Sequence, residues 1–247
     1  MKITVIGASG QIGSRVVRLL TEAGHDVVAA SLSSGANVLT GEGLVDALNG
    51  AEVLVDVVNS PSFEDGAVMD FFTTSARNLA AAAKETGVGH YVALSIVGTD
   101  GLPDSGYMRA KVSQEKVITE SGLPYTIVRA TQFQEFAEAI TGTLVVGGEV
   151  RVPDARIQLI SVDDVAAEVA KVAQGAPLDG IVNIGGPDKI SFADMARAVL
   201  AEQGDDKPVV IDPQATYFGT AVDDDSLVTG DDGILGETRW AAWTGAH

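Results

Sequence analysis

Three side chains with acid–base chemistry stand at spacings that predict a proton-transfer site: Ser95, Tyr107 and Lys111. Tyr107 and Lys111 are four residues apart in a segment of helical character, so their side chains share one face of the helix. A free tyrosine has a pKa of about 10, and a neighbouring ammonium, together with the positive ring of an oxidised nicotinamide, would lower that pKa by stabilising the phenolate. We therefore expect Tyr107 to donate a proton to a carbonyl oxygen as hydride arrives, or to accept one in the reverse reaction.

Ser95 precedes Tyr107 by twelve residues and ends a predicted strand, at the edge where open parallel sheets bind ligands. We expect its hydroxyl to orient and polarise the substrate oxygen, and Lys111 also to hold the ribose of a nicotinamide. Each residue has an ordinary interpretation as well. A Tyr–Lys pair on a helix is usually solvated, and a serine after a strand is usually a turn residue. The three together, downstream of a glycine-rich loop, favour the catalytic interpretation.

The glycine-rich loop has the sequence GASGQIG and lies between an apolar strand and a helical segment. This arrangement places backbone N–H groups of a helix N-terminus where a dinucleotide pyrophosphate binds. Gly7 permits the tight turn, Gly10 lets the backbone approach the phosphates, and Gly13 allows the helix to pack closely on the strand. A glycine turn without a ligand is the alternative interpretation. The predicted cofactor-binding residues of the loop are Gly7, Ser9, Gly10, Gln11, Ile12 and Gly13.

The residues after the second predicted strand bear on the choice between NAD and NADP. An NAD site usually has Asp or Glu there to accept a hydrogen bond from the ribose 2′-hydroxyl. This chain has no carboxylate at that strand end, and Asp26 stands at the opposite end of the strand. Ser31 and Ser33 are the predicted contacts to a 2′-phosphate, with Ser34 and Arg15 as further donors. The missing carboxylate makes NADP the favoured cofactor, and NAD remains possible because no arginine occupies the strand end.

Strands and helices alternate along the first 130 residues, which predicts a parallel sheet with helices on both faces. The predicted strands are Lys2–Ile6, Asp26–Ala30, Ala51–Val58, His90–Ile96, Tyr125–Arg129 and Ile181–Ile184. The predicted helices are Gln11–Ala23, Gly43–Leu48, Asp65–Thr86, Tyr107–Ser121, Val162–Gln174 and Phe192–Gln203. We expect one doubly wound α/β (Rossmann) domain over residues 1–247. Its cofactor-binding core ends near residue 130, and a small C-terminal region, anchored by Trp240 and Trp243, covers the substrate.

Composition and charge argue against several classes of function. A net charge of −18 opposes binding to nucleic acid and to anionic membrane surfaces. The chain has no cysteine, and its three histidines are scattered, so neither thiolate chemistry nor a metal site is predicted. The N-terminus runs directly into the first strand without a signal-peptide cleavage site, so we expect a cytoplasmic protein. The expected partner is a small-molecule substrate, and the oligomeric state stays open.

Several segments of the chain resemble the atypical short-chain dehydrogenase/reductases, and most closely their NmrA-like, NAD(P)H-binding branch. They are GASGQIG, YVALS, YMRAK, LPYTIVR, SVDDVA and NIGGP, which extend over most of the chain to about residue 200. The resemblance implies a Rossmann fold, a nicotinamide cofactor, and Ser95, Tyr107 and Lys111 in the family's catalytic positions. It also implies that Asn59 lies near the adenosine side of the cofactor and that residues 130–133 pass the nicotinamide.

Three functions agree with these observations. The favoured one is reduction of a carbonyl or quinone-like small molecule by NADPH, with Tyr107 as the proton donor. A second is a non-catalytic redox sensor that binds NAD(P), and a third is an epimerase or dehydratase that uses the cofactor transiently. Many NmrA-like proteins have lost the Tyr–Lys pair and act as sensors. This chain keeps Tyr107 and Lys111, which favours an enzyme.

Overall fold

The computed structural model describes residues 1–240 of the chain. Trp240 is buried, whereas Trp243, the second tryptophan expected to anchor the C-terminal segment, lies outside the described residues. The helices are α1 (Gln11–Glu22), α2 (Leu44–Leu48), α3 (Asp65–Thr86), α4 (Gly106–Thr119), α5 (Ala137–Thr143), α6 (Val162–Ala173) and α7 (Phe192–Gln203). No helix within residues 1–240 combines the length and apolar character that crossing a membrane requires.

The fold is built around one central β-sheet. The strands of the described chain are β1 (Lys2–Ile6), β2 (Asp26–Ala30), β3 (Val53–Asp56), β4 (His90–Ile96), β5 (Tyr125–Ala130), β6 (Val145–Val146), β7 (Glu149–Val152), β8 (Arg156–Gln158), β9 (Gly180–Gly185), β10 (Lys189–Ser191), β11 (Val209–Ile211) and β12 (Ile234–Leu235). Seven of them form one sheet in the order β12-β9-β5-β4-β3-β1-β2. Its strands are parallel, as in the pairs β1 with β2, β1 with β3, and β3 with β4. The predicted Rossmann-type α/β fold is therefore confirmed.

The strands of the central sheet are apolar because helices cover them. The side chains of Ile3 and Val5 point to one face of the sheet and that of Thr4 points to the other, yet all three are fully buried. Such continuous burial is typical of a parallel sheet packed between helices. The strand predicted over 51–58 is shorter in the structure, and ends at Asp56. The Asp56 carboxylate accepts a hydrogen bond from Val58 N at 3.2 Å, a side-chain turn that ends the regular strand.

The chain forms two compact units. The first unit comprises Met1–Ser95, Gly106–Arg129 and Val165–Val182, and the second unit comprises Ile96–Ser105, Ala130–Asp164 and the described part of Asn183–His247. The second unit contains two small sheets that the sequence did not predict, with strand orders β11-β7-β6 and β10-β8. The glycine loop and the three predicted catalytic residues all belong to the first unit.

Candidate functional site

The glycine loop has the backbone geometry that its sequence predicts. Gly7 adopts a φ of +86°, in the left-handed region that favours glycine, and a Cβ there would lie 2.9 Å from the carbonyl oxygen of Val57. A Cβ on Gly13 would lie 2.1 Å from the carbonyl oxygen of Gly7, so only glycine lets α1 approach β1 this closely. Gly10 precedes α1, and no side chain caps the helix there. A loop without side chains before an uncapped helix N-terminus fits a dinucleotide pyrophosphate.

The serines after β2 form a compact hydroxyl-rich turn. Ser31 and Ser33 share a hydrogen bond between their hydroxyl oxygens at 2.8 Å, and Ser34 Oγ accepts from the Ser31 backbone N–H at 2.9 Å. The turn ends at Gly35, whose φ is +91°. The strand end therefore presents hydroxyl groups without a carboxylate, a donor set that fits a 2′-hydroxyl or a 2′-phosphate.

Tyr107 lies in the first turn of α4 and contacts another predicted site residue. Its phenolic oxygen donates to Asn59 Oδ1 at 2.6 Å. Its ring lies 5.6 Å from that of Phe72, edge to face, and 5.7 Å from that of Phe63. Burial raises the pKa of Tyr107 to about 12 because the phenolate would lose its hydration. In the protein without cofactor this pKa is therefore raised rather than lowered, and its lowering by Lys111 together with a bound oxidised nicotinamide stays a prediction.

The Lys111 ammonium is bound to groups other than the Tyr107 phenol. Lys111 is 4% exposed, and its Nζ donates to the carbonyl oxygen of Leu94 at 2.9 Å and to the side-chain oxygen of Gln114. The same nitrogen lies 4.4 Å from the centre of the Phe72 ring, a cation–π arrangement. Burial lowers the pKa of Lys111 to about 8, and the carboxylates of Asp56 and Glu115 partly oppose this change. The ammonium is thus held beneath the end of β4, against Leu94 and Gln114.

Ser95 directly follows Leu94 and lies near the end of β4. Its side chain is 4% exposed, and its hydroxyl has no hydrogen-bond partner within the part of the chain that the structure describes. A buried hydroxyl without a partner is uncommon in native proteins and is typical of sites that receive a ligand or water. The role of Ser95 toward a substrate oxygen remains a prediction.

Sequence analysis missed a buried polar chain beneath Lys111. Asp56 is 1% exposed, and its Oδ2 accepts from Tyr91 Oη at 2.9 Å and from Gln114 Nε2 at 3.1 Å. Burial raises the pKa of Asp56, which Lys111 opposes, and the Asp56 charge together with burial raises the pKa of Tyr91. The available signal was the acidic Asp56 between the apolar residues Val55 and Val57 of a predicted strand. Gln114 connects Asp56 to Lys111. The buried hydrogen-bond chain therefore consists of Tyr91, Asp56, Gln114 and Lys111.

Comparison with known proteins identifies the family. Residues 7–175 match the family model described as NAD(P)H-binding. The chain belongs to this NAD(P)H-binding family. The matched segment begins at Gly7 and includes the glycine loop, Tyr107 and Lys111, so the predicted nicotinamide-binding family is confirmed.

Individual relatives differ in what they do. The photosystem II assembly factor Ycf39 of Cyanophora paradoxa is 31% identical over 147 residues, which are 54% of this chain and 46% of that protein. The chain thus spans about half the length of this relative. The NAD(P)H azoreductase of Xenophilus azovorans is 29% identical over 225 residues, 82% of this chain and 74% of that protein.

A solved structure confirms the fold. It is a short-chain dehydrogenase/reductase superfamily protein of Agrobacterium tumefaciens with bound NAD, and it superposes with a TM-score of 0.71. The match covers 99% of this chain and 95% of that protein at 16% identity. The architecture of this chain is therefore that of a Rossmann-like α/β fold.

Proposed function

We propose that this NAD(P)H-binding protein is a reductase of the short-chain dehydrogenase/reductase type. Its substrate would be a small carbonyl, quinone or azo compound, and NADPH its preferred electron donor. The observation that carries the proposal is the hydrogen bond of 2.6 Å that fixes Tyr107 against Asn59, in the same compact unit as the glycine loop. A phenol held in one position beside a nucleotide-binding loop is the arrangement that proton donation during hydride transfer requires.

The cofactor would bind with its pyrophosphate on the loop from Gly7 to Gly13 and its adenosine ribose beside Ser31 and Ser33. When bound, the reduced nicotinamide supplies hydride to the substrate. Tyr107 gives its phenolic proton to the substrate oxygen or nitrogen, so that hydride and proton together reduce a carbonyl to an alcohol, a quinone to a hydroquinone, or an N=N bond to a hydrazo group. Ser95 orients the accepting atom. Lys111 contributes positive charge that favours the phenolate left after proton transfer.

The raised pKa of Tyr107 keeps the phenol protonated at neutral pH, which is the state from which reduction starts. A phenol with a pKa of about 12 carries its proton at neutral pH and is ready to act as an acid. Oxidation of an alcohol would require the phenolate as base, which is scarce at neutral pH. The choice of acceptor is supported by the azoreductase relative, which is similar over 82% of the chain and reduces azo compounds by its name.

The proposal is tested in two steps. Fluorescence titration with NADPH and with NADH measures both dissociation constants, and the account predicts tighter binding of NADPH. A panel of quinones, aromatic azo compounds and aldehydes is then followed at saturating cofactor by loss of NADPH absorbance. The account predicts stoichiometric oxidation of NADPH with at least one acceptor class. Tight cofactor binding without turnover on the entire panel would overturn it.

A non-catalytic role is the second candidate function. It is favoured by the similarity to Ycf39, which is named as an assembly factor. In that case the protein would bind NAD(P) and then a protein partner, and the hydroxyl of Tyr107 would be dispensable. The third candidate, an epimerase or dehydratase, would convert its substrate without net consumption of NADPH.

A further inference from the structure

We propose that Asp56, acting through Gln114, is a positioning residue that keeps Lys111 protonated and directed at the end of β4. The inference rests on the proposed function in one respect, because the reduction uses the charge of Lys111. Asp56 itself is buried in β3 and touches neither the glycine loop nor Tyr107 through any hydrogen bond of the described residues. Its influence would therefore pass through Gln114.

The hydrogen-bond geometry fixes the order of this chain. Lys111 Nζ donates to Gln114 Oε1, and Gln114 Nε2 donates to Asp56 Oδ2 at 3.1 Å. The opposite orientation of the amide would set its NH2 group against an ammonium and its oxygen against a carboxylate. Both contacts would be repulsive, so the amide has a single favourable orientation. Gln114 thereby links a buried cation to a buried anion.

Asp56 is held by three donors and has little freedom to turn elsewhere. Besides Gln114, it accepts from Tyr91 Oη at 2.9 Å and from the backbone N–H of Val58 at 3.2 Å. Hydrogen bonds to a carboxylate favour its charged form, which offsets part of the cost of burying it. The carboxylate is thus fixed at one end of the chain, and it fixes Gln114 in turn.

Other charged groups around Lys111 are already occupied. Glu115 of α4 forms a two-pronged ion pair with Arg129 of β5, at 2.6 and 2.9 Å. Helix α3 presents the ring of Phe72 to the ammonium, Tyr107 of α4 packs against that ring, and Tyr91 of β4 bonds to Asp56 at the other end of the chain. Glu115 has its own cation, which leaves Asp56 as the carboxylate whose hydrogen-bond chain ends on Lys111.

Burial and the charge of Asp56 act on the pKa of Lys111 in opposite directions, so loss of the Asp56 carboxylate should change that pKa. Burial favours the neutral amine and holds the pKa of Lys111 near 8, while the Asp56 charge favours the ammonium. Loss of the carboxylate would leave burial with less opposition. A larger share of Lys111 would then be neutral at neutral pH, and both its charge and its bond to Leu94 O would weaken.

The test measures the titration of Lys111 directly. The protein is labelled with 13C and 15N in its lysines, and the Lys111 side-chain signal, assigned by its absence in Lys111→Met, is followed against pH. Asp56→Asn is compared with wild type and with Asp70→Asn, which makes the same charge change on the exposed surface of α3. We expect Asp56→Asn to lower the pKa of Lys111 by about 1 or more, and Asp70→Asn to leave it unchanged.

A second variant covers the case in which Asp56→Asn does not fold. Gln114→Met keeps the length of the side chain but removes the amide link, and it should move the titration of Lys111 in the same direction. An unchanged Lys111 titration in a folded Asp56→Asn or Gln114→Met protein overturns the inference. Because this readout needs no turnover, it stands apart from the proposed function, whose failure would appear as an absence of NADPH oxidation by wild type.

Discussion

Tyr107 is the side chain on which the proposed chemistry depends. Asn59 and two aromatic rings hold it in place, and burial keeps its proton on the phenol with a pKa of about 12. Lys111 lies one helical turn away with its ammonium bonded to Leu94 O and Gln114. Tyr107 therefore holds the proton for transfer, and Lys111 holds a positive charge one helical turn away.

The pH dependence of reduction should follow Lys111. Its pKa of about 8 means that the ammonium is present below pH 8 and is lost as the pH rises through that value. We expect kcat/KM for the acceptor, at saturating NADPH, to be level below pH 8 and to fall above it, while Tyr107 stays protonated up to much higher pH. A profile that remains level from pH 6 to about pH 10 would contradict this role of Lys111.

Asn59 offers a test that separates two roles. If it positions Tyr107, Asn59→Ala should lower kcat by about 3- to 10-fold, the value of one hydrogen bond, and leave the Kd for NADPH unchanged. If it contacts adenosine, as the family resemblance implies, the same variant should instead raise that Kd. Asn49→Ala, at an exposed position after α2, is the matched control and should change neither quantity.

At the level of helices and strands, most segments of five or more residues follow from the sequence, and the two-residue strands do not. Helices Asp65–Thr86 and Phe192–Gln203 and strand His90–Ile96 begin and end at the predicted residues, because each carries a clear apolar pattern over several turns or pleats. The strands β6 and β12 have two residues each, too few for any periodicity. Their pairing partners are set by the folded chain.

The residues of the candidate site also include a set that the sequence predicts and a set that it does not. The glycine loop, Ser95, Tyr107 and Lys111 stand out because their types and spacing are local features of the sequence. The buried chain below them joins residues far apart in sequence: Asp56 bonds to Tyr91, 35 positions away, and to Gln114, 58 positions away. No local pattern encodes such contacts, and the bond from Lys111 to Gln114 belongs to the same buried chain.

The glycine loop predicts a contrast between two Gly→Ala substitutions. In Gly13→Ala the new Cβ would lie 2.1 Å from Gly7 O, so α1 must move away from β1. We expect a loss of about 1–3 kcal/mol in the free energy of unfolding, measured with urea, and a large loss of NADPH affinity. Gly66→Ala is the control, because a Cβ there meets no atom within 4 Å. It should leave both quantities unchanged or slightly raise stability, and equal behaviour of the two variants would contradict the packing argument.

At the scale of the whole molecule, the charge of −18 is the dominant feature. Self-repulsion among carboxylates destabilises the folded chain, and added salt screens it. The midpoint of thermal unfolding should therefore rise between about 10 and 200 mM NaCl, by about 2–4 °C for each kcal/mol of relieved repulsion. Scanning fluorimetry measures this, with KCl as a second salt of the same ionic strength. A midpoint that falls in both salts would show that attractive ion pairs outweigh the repulsion.

The proposed reductase activity depends on Tyr107 as donor of the proton that accompanies hydride transfer from NADPH, and Tyr107→Phe removes that proton. The substitution removes one hydroxyl, so NADPH should bind with an unchanged Kd while turnover of the best acceptor falls by about 100-fold or more. Tyr125→Phe removes a hydroxyl from another partly buried tyrosine, on β5, and should retain wild-type turnover. Turnover by Tyr107→Phe at the wild-type rate would contradict the account.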